Sequence, residues 1–253
     1  MRFESTRGGT QDAGFEQTLL SALAADGGLY LPVDLPRFEA EEIRDLRGLD
    51  YITLASRLLP RLIGPALPAD ELERLINKAY AGFHHRAVAP MKQLDGDLWL
   101  MELFHGPTLA FKDFAMQLIG QLFQTALARR GDRVTIAGAT SGDTGSAAME
   151  VFRGLSNVDV FILYPHGRVS EVQRRQMTTP QDANVHALAV DGDFDDCQAR
   201  VKDMFNDFDF RDGVKLAGVN SINIARVLAQ VVYYFSSAVS LGAPEREVSF
   251  TVP

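Results

Sequence analysis

The chain predicts an α/β fold: a mainly parallel sheet with flanking helices, preceded by a helical amino-terminal region. Two observations carry this. From Asp97 onward, short apolar runs rich in β-branched residues alternate with helical stretches, the pattern of strands joined by crossover helices. Between one such run and an Ala-rich helix lies a loop of glycines and small polar residues, a strand-loop-helix arrangement that parallel sheets use. The composition permits a sizeable core, with 253 residues, 46% hydrophobic and 23% charged, ordinary values for a globular chain.

Residues 1–94 read as a helical, loop-rich lead-in. Apolar residues at helical spacing predict helices over 40–46, 51–62 and 69–83, with Pro60, Pro65 and Pro68 as breaks. Short buried strands are expected at 98–103, 134–137, 158–164 and 185–190. The helical stretches between and after them fall at 114–129, 146–153, 170–177 and 194–207. An acidic run at 203–212 is interleaved with three phenylalanines; it reads as a helix end and solvated loop, with the aromatic residues in the core. The predicted organisation is a helical domain over 1–94, an α/β cofactor and substrate domain over 95–240, and at 241–253 the start of a larger α/β domain. Ligands of such a sheet sit beyond the carboxyl ends of its strands, where 140–144 fall.

Three segments carry chemistry. In ELFHGPTLAFKDFA (102–115), Lys112 lies between Phe111 and Phe114 after a Gly-Pro turn, at the start of an apolar helix. Desolvation there disfavours the ammonium and leaves a free amine to attack an aldehyde; the alternative is a snorkelling lysine with its head in water. In VTIAGATSGDTGSAA (134–148), Gly138, Gly142 and Gly145 leave room for backbone N–H groups to close on a carboxylate or phosphate at the following helix N-terminus. An ordinary tight connection with Asp143 or Thr144 as N-cap would use the same residues. The loop matches neither the GxGxxG fingerprint nor the Walker lysine loop. In LAGVNSINIARVLAQVVYYF (216–235), Ser221, Asn223 and Arg226 fall at a helix start. Dipole and guanidinium together suit an anion there; a capped helix with Arg226 on its wet face is the alternative.

A net charge of −8 and a pI near 5.1 argue against nucleic acid as a partner. The single Cys197 excludes an internal disulfide and fits a reducing compartment. No targeting segment is visible and no apolar stretch is long enough to span a bilayer, so no membrane role and a cytoplasmic location are expected. The five histidines show no zinc spacing and no metal is expected; His105, near Lys112, stands equally as an acid or base and as a turn residue bonded to backbone.

Taken together, these segments resemble the threonine synthases of the longer type, within the pyridoxal-phosphate enzymes of the tryptophan-synthase β fold (fold type II). The resemblance is carried by STRGG at 5–9, DGGLYLP at 26–32, HGPTLAFKDF at 105–114, SGDTGSAA at 141–148, GRVSEVQRRQMTT from Gly167, FDDCQ from Phe194 and NSINIARVLAQVVYYF from Asn220. It runs nearly end to end, in order.

That resemblance implies conversion of O-phospho-L-homoserine and water to L-threonine and phosphate. Lys112 would carry pyridoxal 5'-phosphate as a Schiff base and make the proton transfers. It also implies that Thr140, Ser141, Gly142 and Thr144 hold substrate, that Asp143 meets the cofactor, and that Thr144, Ser221 and Arg226, with Asn223 a lesser candidate, bind the departing phosphate. Asp143 stands where relatives of the wider fold often have asparagine. The chain stops at VSFTVP (248–253), where the family continues into a glycine-rich loop for the cofactor phosphate. It therefore reads as the amino-terminal part of a longer enzyme whose activity needs the rest. Another pyridoxal-phosphate lyase or dehydratase acting on a phosphorylated or hydroxy amino acid, and a non-catalytic fragment, remain as alternatives.

Overall fold

The computed structural model describes residues 1–220 and 222–252. Its amino-terminal part carries helices α1 (Phe15–Ser21), α2 (Ala40–Arg44), α3 (Tyr51–Ile63) and α4 (Ala69–Tyr80). It also holds a small antiparallel sheet that periodicity does not reveal: β1 (Arg2–Ser5), β2 (Ala13–Gly14) and β3 (Tyr30–Pro32), in the order β2-β1-β3. Strands of two to four residues are too short to show an alternation. Pro60 lies inside α3 and does not end it. It falls in the last turns, so its missing N–H removes one helical bond, and the chain continues to Gly64, whose N–H reaches the Pro60 carbonyl at 3.0 Å.

The strand expected over 98–103 is β5 (Trp99–Met101), which pairs antiparallel with β4 (Met91–Gln93) in a separate hairpin. It is not part of the parallel sheet and is not buried, since Leu98 and Leu100 face solvent. The parallel sheet is built from β6 (Val134–Ala139), β7 (Val158–Pro165), β8 (Val185–Val190) and β9 (Leu216–Ala217), in the order β8-β7-β6-β9. Val134 stands opposite Val158, and Val160 opposite Val185. Helices α5 (Lys112–Arg130), α6 (Asp143–Phe152), α7 (Glu171–Thr178), α8 (Phe194–Asn206), α9 (Phe208–Gly213) and α10 (Ile224–Ser240) complete the fold.

The core centres on α5, where Phe114, Ala115, Met116, Leu118, Ile119 and Phe123 are all buried, as a helix packed on several sides requires. Phe114 meets Tyr51, Phe83 and Tyr233 edge-on at centroid distances of 6.0, 4.9 and 5.6 Å. Phe208 and Phe210 of the acidic run are 59% and 44% exposed and not in the core; α9 is a six-residue helix, too short to fold its aromatic side chains under the sheet. Among the described residues no helix is long and apolar enough to cross a membrane.

Candidate active site

The turn before α5 aims the lysine. Thr108 donates its backbone N–H to Asp113 Oδ2 and its hydroxyl to Asp113 Oδ1, both at 2.8 Å. Asp113 is fully buried, and burial pushes its carboxyl above the usual aspartate range, against the two Thr108 bonds. Leu109 sits in the left-handed region at φ +62°, a local strain held in place by this clamp. Lys112 is then the first residue of α5, its side chain 20% exposed. Its Nζ lies 4.1 Å from the centroid of the Phe111 ring and 3.6 Å from Asp143 Oδ2. Of the two expected aromatic neighbours, only Phe111 covers the amine, because Phe114 turns into the core.

Asp143 comes from the loop after β6. Thr140, buried, accepts the N–H groups of Gly142 and Gly145 on its Oγ1, each at 2.9 Å. Gly142 has φ +144°, and a Cβ there would meet the Gln173 amide within 2.4 Å, so only glycine fits. The N-cap of α6 is Gly142, and no side chain caps it. Neither Asp143 nor Thr144 takes that role, since the Asp143 carboxylate is turned toward Lys112 and toward Gln173, whose Nε2 donates to Oδ1 at 2.7 Å. Ser141 is exposed; Thr144 is half-buried. The first-turn N–H groups of α6 face the same side as any helix start and suit an anion.

At the start of α10 the two described candidates have different jobs. Asn223 is fully buried and spends its side chain on the protein: Oδ1 accepts from Ala225 N–H at 3.1 Å, while Nδ2 donates to the carbonyls of Leu19 at 2.8 Å and Gly218 at 3.2 Å. Arg226, expected on a wet face if the helix were merely capped, is 5% exposed. Its Nη1 donates to the Val219 carbonyl at 3.4 Å, its Nε has no partner, and among the described residues no carboxylate pairs with it. Burial pulls its guanidinium below the ordinary arginine range. A buried, under-satisfied cation is costly unless an anion pairs with it. Ser221 lies outside the described residues.

His105 is bound to Glu102, Nε2 to Oε2 at 2.8 Å, and its ring lies against His85 at 5.0 Å. Its carbonyl accepts the His84 N–H at 2.8 Å. Sequence reasoning assigned no role to Asp113, Gln173 or Gln176. The Ser170-x-x-Gln173 spacing of a capping box was a readable signal for a helix start, but not for the long-range bond to Asp143. Phe111 also lines an adjoining cavity of about 850 Å³ walled by Met101, Tyr233, Tyr234 and Phe250.

Comparison with known proteins agrees with this geometry. Residues 84–245 match the family model of the pyridoxal-phosphate dependent enzymes, and residues 2–80 match that of the threonine synthase N terminus. Threonine synthase of Pseudomonas aeruginosa is 54% identical over 253 residues, all of this chain and 54% of that protein. Threonine synthase of Schizosaccharomyces pombe is 43% identical, covering 98% of this chain and 51% of its own length. The crystal structure of pyridoxal-phosphate-bound threonine synthase from Brucella melitensis superposes with a TM-score of 0.92 at 56% identity, over 99% of this chain and 54% of that one. Threonine synthase from Escherichia coli gives 0.86 at 39%, over 97% and 55%. The chain thus spans about half the length of the relatives it matches. With a family model covering most of its residues, and a lysine held at a helix start against a glycine-rich strand-to-helix loop, the chain belongs to the pyridoxal-phosphate dependent enzymes.

Proposed function

We propose that the protein containing this chain converts O-phospho-L-homoserine and water to L-threonine and phosphate with pyridoxal 5'-phosphate, in the cytoplasm. The observation that carries the reading is the Lys112 amine, four-fifths buried and 3.6 Å from Asp143 at the mouth of the loop after β6. The residues fit the cofactor: a primary amine withdrawn from bulk water for its aldehyde, an acidic side chain beside that amine, and a glycine-bearing loop at the start of α6. When bound, pyridoxal phosphate supplies an electron sink for charge developing on the substrate α-carbon.

The protein supplies position and proton movement. Lys112 Nζ is the group placed to take the α-proton and return protons to neighbouring carbons. Asp143 Oδ2 faces that nitrogen and stabilises it whenever it carries the extra proton. The backbone N–H groups that open α6 at Asp143 and Thr144 suit the substrate carboxylate, with Ser141 on the solvent side. Thr140 holds this loop in shape through its two backbone bonds. Arg226, with Thr144 and Ser221, would take the phosphate as it leaves and so stabilise the departing dianion. Asn223 supports the start of α10. The domain division at 94/95 and 240/241 belongs to the same reading.

The test uses the full-length protein. Incubation with pyridoxal phosphate, reduction with borohydride and peptide mapping should place one pyridoxyl group on Lys112, and O-phospho-L-homoserine should yield equal amounts of threonine and phosphate. Lys112→Ala should abolish both. Arg226→Ala should lower kcat/KM for O-phospho-L-homoserine by about 100-fold or more while leaving labelling of Lys112 intact, as loss of a buried charged donor predicts. Labelling spread over surface lysines, or turnover of serine or threonine in preference to the phosphate ester, would overturn the reading.

A further inference from the structure

Helix α7 contributes no group to the chemistry, yet it grips both halves of the site. Gln173 Nε2 donates to Asp143 Oδ1 at 2.7 Å. One turn on, Gln176 Nε2 donates to the Thr108 carbonyl at 3.0 Å, in the turn that leads to Lys112. The segments they join are some 30 and 68 residues away in sequence.

The direction of the Gln173 amide is fixed by its own helix. In the capping box that opens α7, Gln173 Oε1 accepts from the Ser170 hydroxyl at 2.8 Å and from the Ser170 N–H at 3.2 Å. Both are donors, so the oxygen end must face Ser170 and the NH₂ end must face Asp143. One Asp143 oxygen is thereby engaged, leaving Oδ2 directed at Lys112 Nζ. Gly142, where a Cβ would strike the Gln173 amide, leaves room for this approach.

We infer that Gln173 is a positioning residue: its amide, oriented by the Ser170 capping box, sets the Asp143 carboxylate against the Lys112 amine. The inference rests on the reading of Lys112 as the cofactor-bearing lysine. Without Gln173 the Asp143 side chain, 41% exposed, is free to rotate into water, and the amine loses its fixed partner.

Gln173→Glu separates positioning from folding. A glutamate still accepts both Ser170 bonds, so α7 keeps its cap, but it repels the carboxylate of Asp143 where glutamine donated to it. The test follows the rate of pyridoxyl labelling of Lys112 in the full-length protein: amine and aldehyde condense with loss of water, and borohydride hydride fixes the new C–N bond. Gln173→Glu should slow labelling of Lys112 by about tenfold or more, the scale of a misplaced reacting group, while Tm moves by less than about 2 °C. Adding Asp143→Asn supplies a new donor to the introduced glutamate and should recover part of the lost rate, a non-additive result in the double-mutant cycle. Labelling at the wild-type rate in Gln173→Glu, or two losses that simply add, would overturn the inference while leaving Lys112 in its role. Absence of Lys112 labelling in the wild type would remove both.

Discussion

Arg226, in the phosphate-binding role proposed for it, would set function against stability. A guanidinium 5% exposed, with Nε unpartnered, costs desolvation that the single bond from Nη1 to the Val219 carbonyl offsets only in part. Arg226→Met, of similar volume and without charge, should stabilise the protein by about 1 kcal/mol or more in urea unfolding without added anion. The same substitution should erase any rise in Tm that inorganic phosphate gives the wild type. Asp113 makes a second residue-level case. Its carboxyl binds a proton more tightly folded than unfolded, so its contribution is complete below about pH 3.9 and is lost as pH rises through the higher folded value. Asp113→Asn keeps an acceptor for the Thr108 N–H and removes this titration; its stability relative to wild type should rise between pH 4 and pH 7 in urea unfolding. Asp113→Ala leaves that N–H buried without a partner and should cost about 1–3 kcal/mol at acidic pH, a penalty that shrinks as pH rises because the titration is removed as well. Lys112, Asp143 and Arg226 stood out as candidates because each is a charged residue in an apolar or glycine-rich setting, which sequence displays directly, and the structure brings the first two together. Gln173 was not, because a glutamine in a polar helix carries no local sign of the partner it meets after folding.

At the scale of the element, legibility followed length. The sequence expectation for β8 coincides with the strand in its bounds, and those for β6 and β7 fall short by one or two residues at one end; β6 and β7 are buried as expected, but β8 lies at the sheet edge with only Val185 buried. The three short strands near the amino terminus and the two-residue β9 were missed, since pairing with distant segments and not local pattern makes them strands. The hairpin of β4 and β5 shows the converse error: an apolar stretch was read as buried although its leucines face outward. The side-chain cap expected of Asp143 or Thr144 is absent from α6, whereas α3 has one that sequence reasoning did not name. Asp50 opens α3 by accepting the Thr53 N–H at 3.0 Å and its hydroxyl at 2.7 Å, and those bonds hold its carboxyl below the usual range. Asp50→Ala should cost about 1 kcal/mol at neutral pH. The stabilisation is present above the unfolded value and lost as pH falls through the lower folded one, so the penalty, read from urea midpoints, should shrink on acidification.

Across the whole molecule, the segments matched by two different family models share one core. Tyr80 of α4 donates its hydroxyl to the Phe114 carbonyl at 3.1 Å, Phe38 stacks edge-on with Phe235 at 5.0 Å, and Arg44 and Arg47 both bind Glu245. Helices α3 and α4 therefore pack on α5 and α10 as one body, and unfolding should be a single cooperative transition. Far-UV circular dichroism and Trp99 fluorescence should give coincident urea curves; separated curves would show that the amino-terminal part melts independently. Helix α7 is a short outer piece with two unlike sides, anchored to this core through the buried Met177. Its inward glutamines are fixed by partners on distant loops, whereas Val172 and Arg175 point into solvent. Within this chain the outer side has room to accept a fluorescent reporter at Val172. A probe placed there would report on the helix whose Gln173 binds Asp143 without touching that bond.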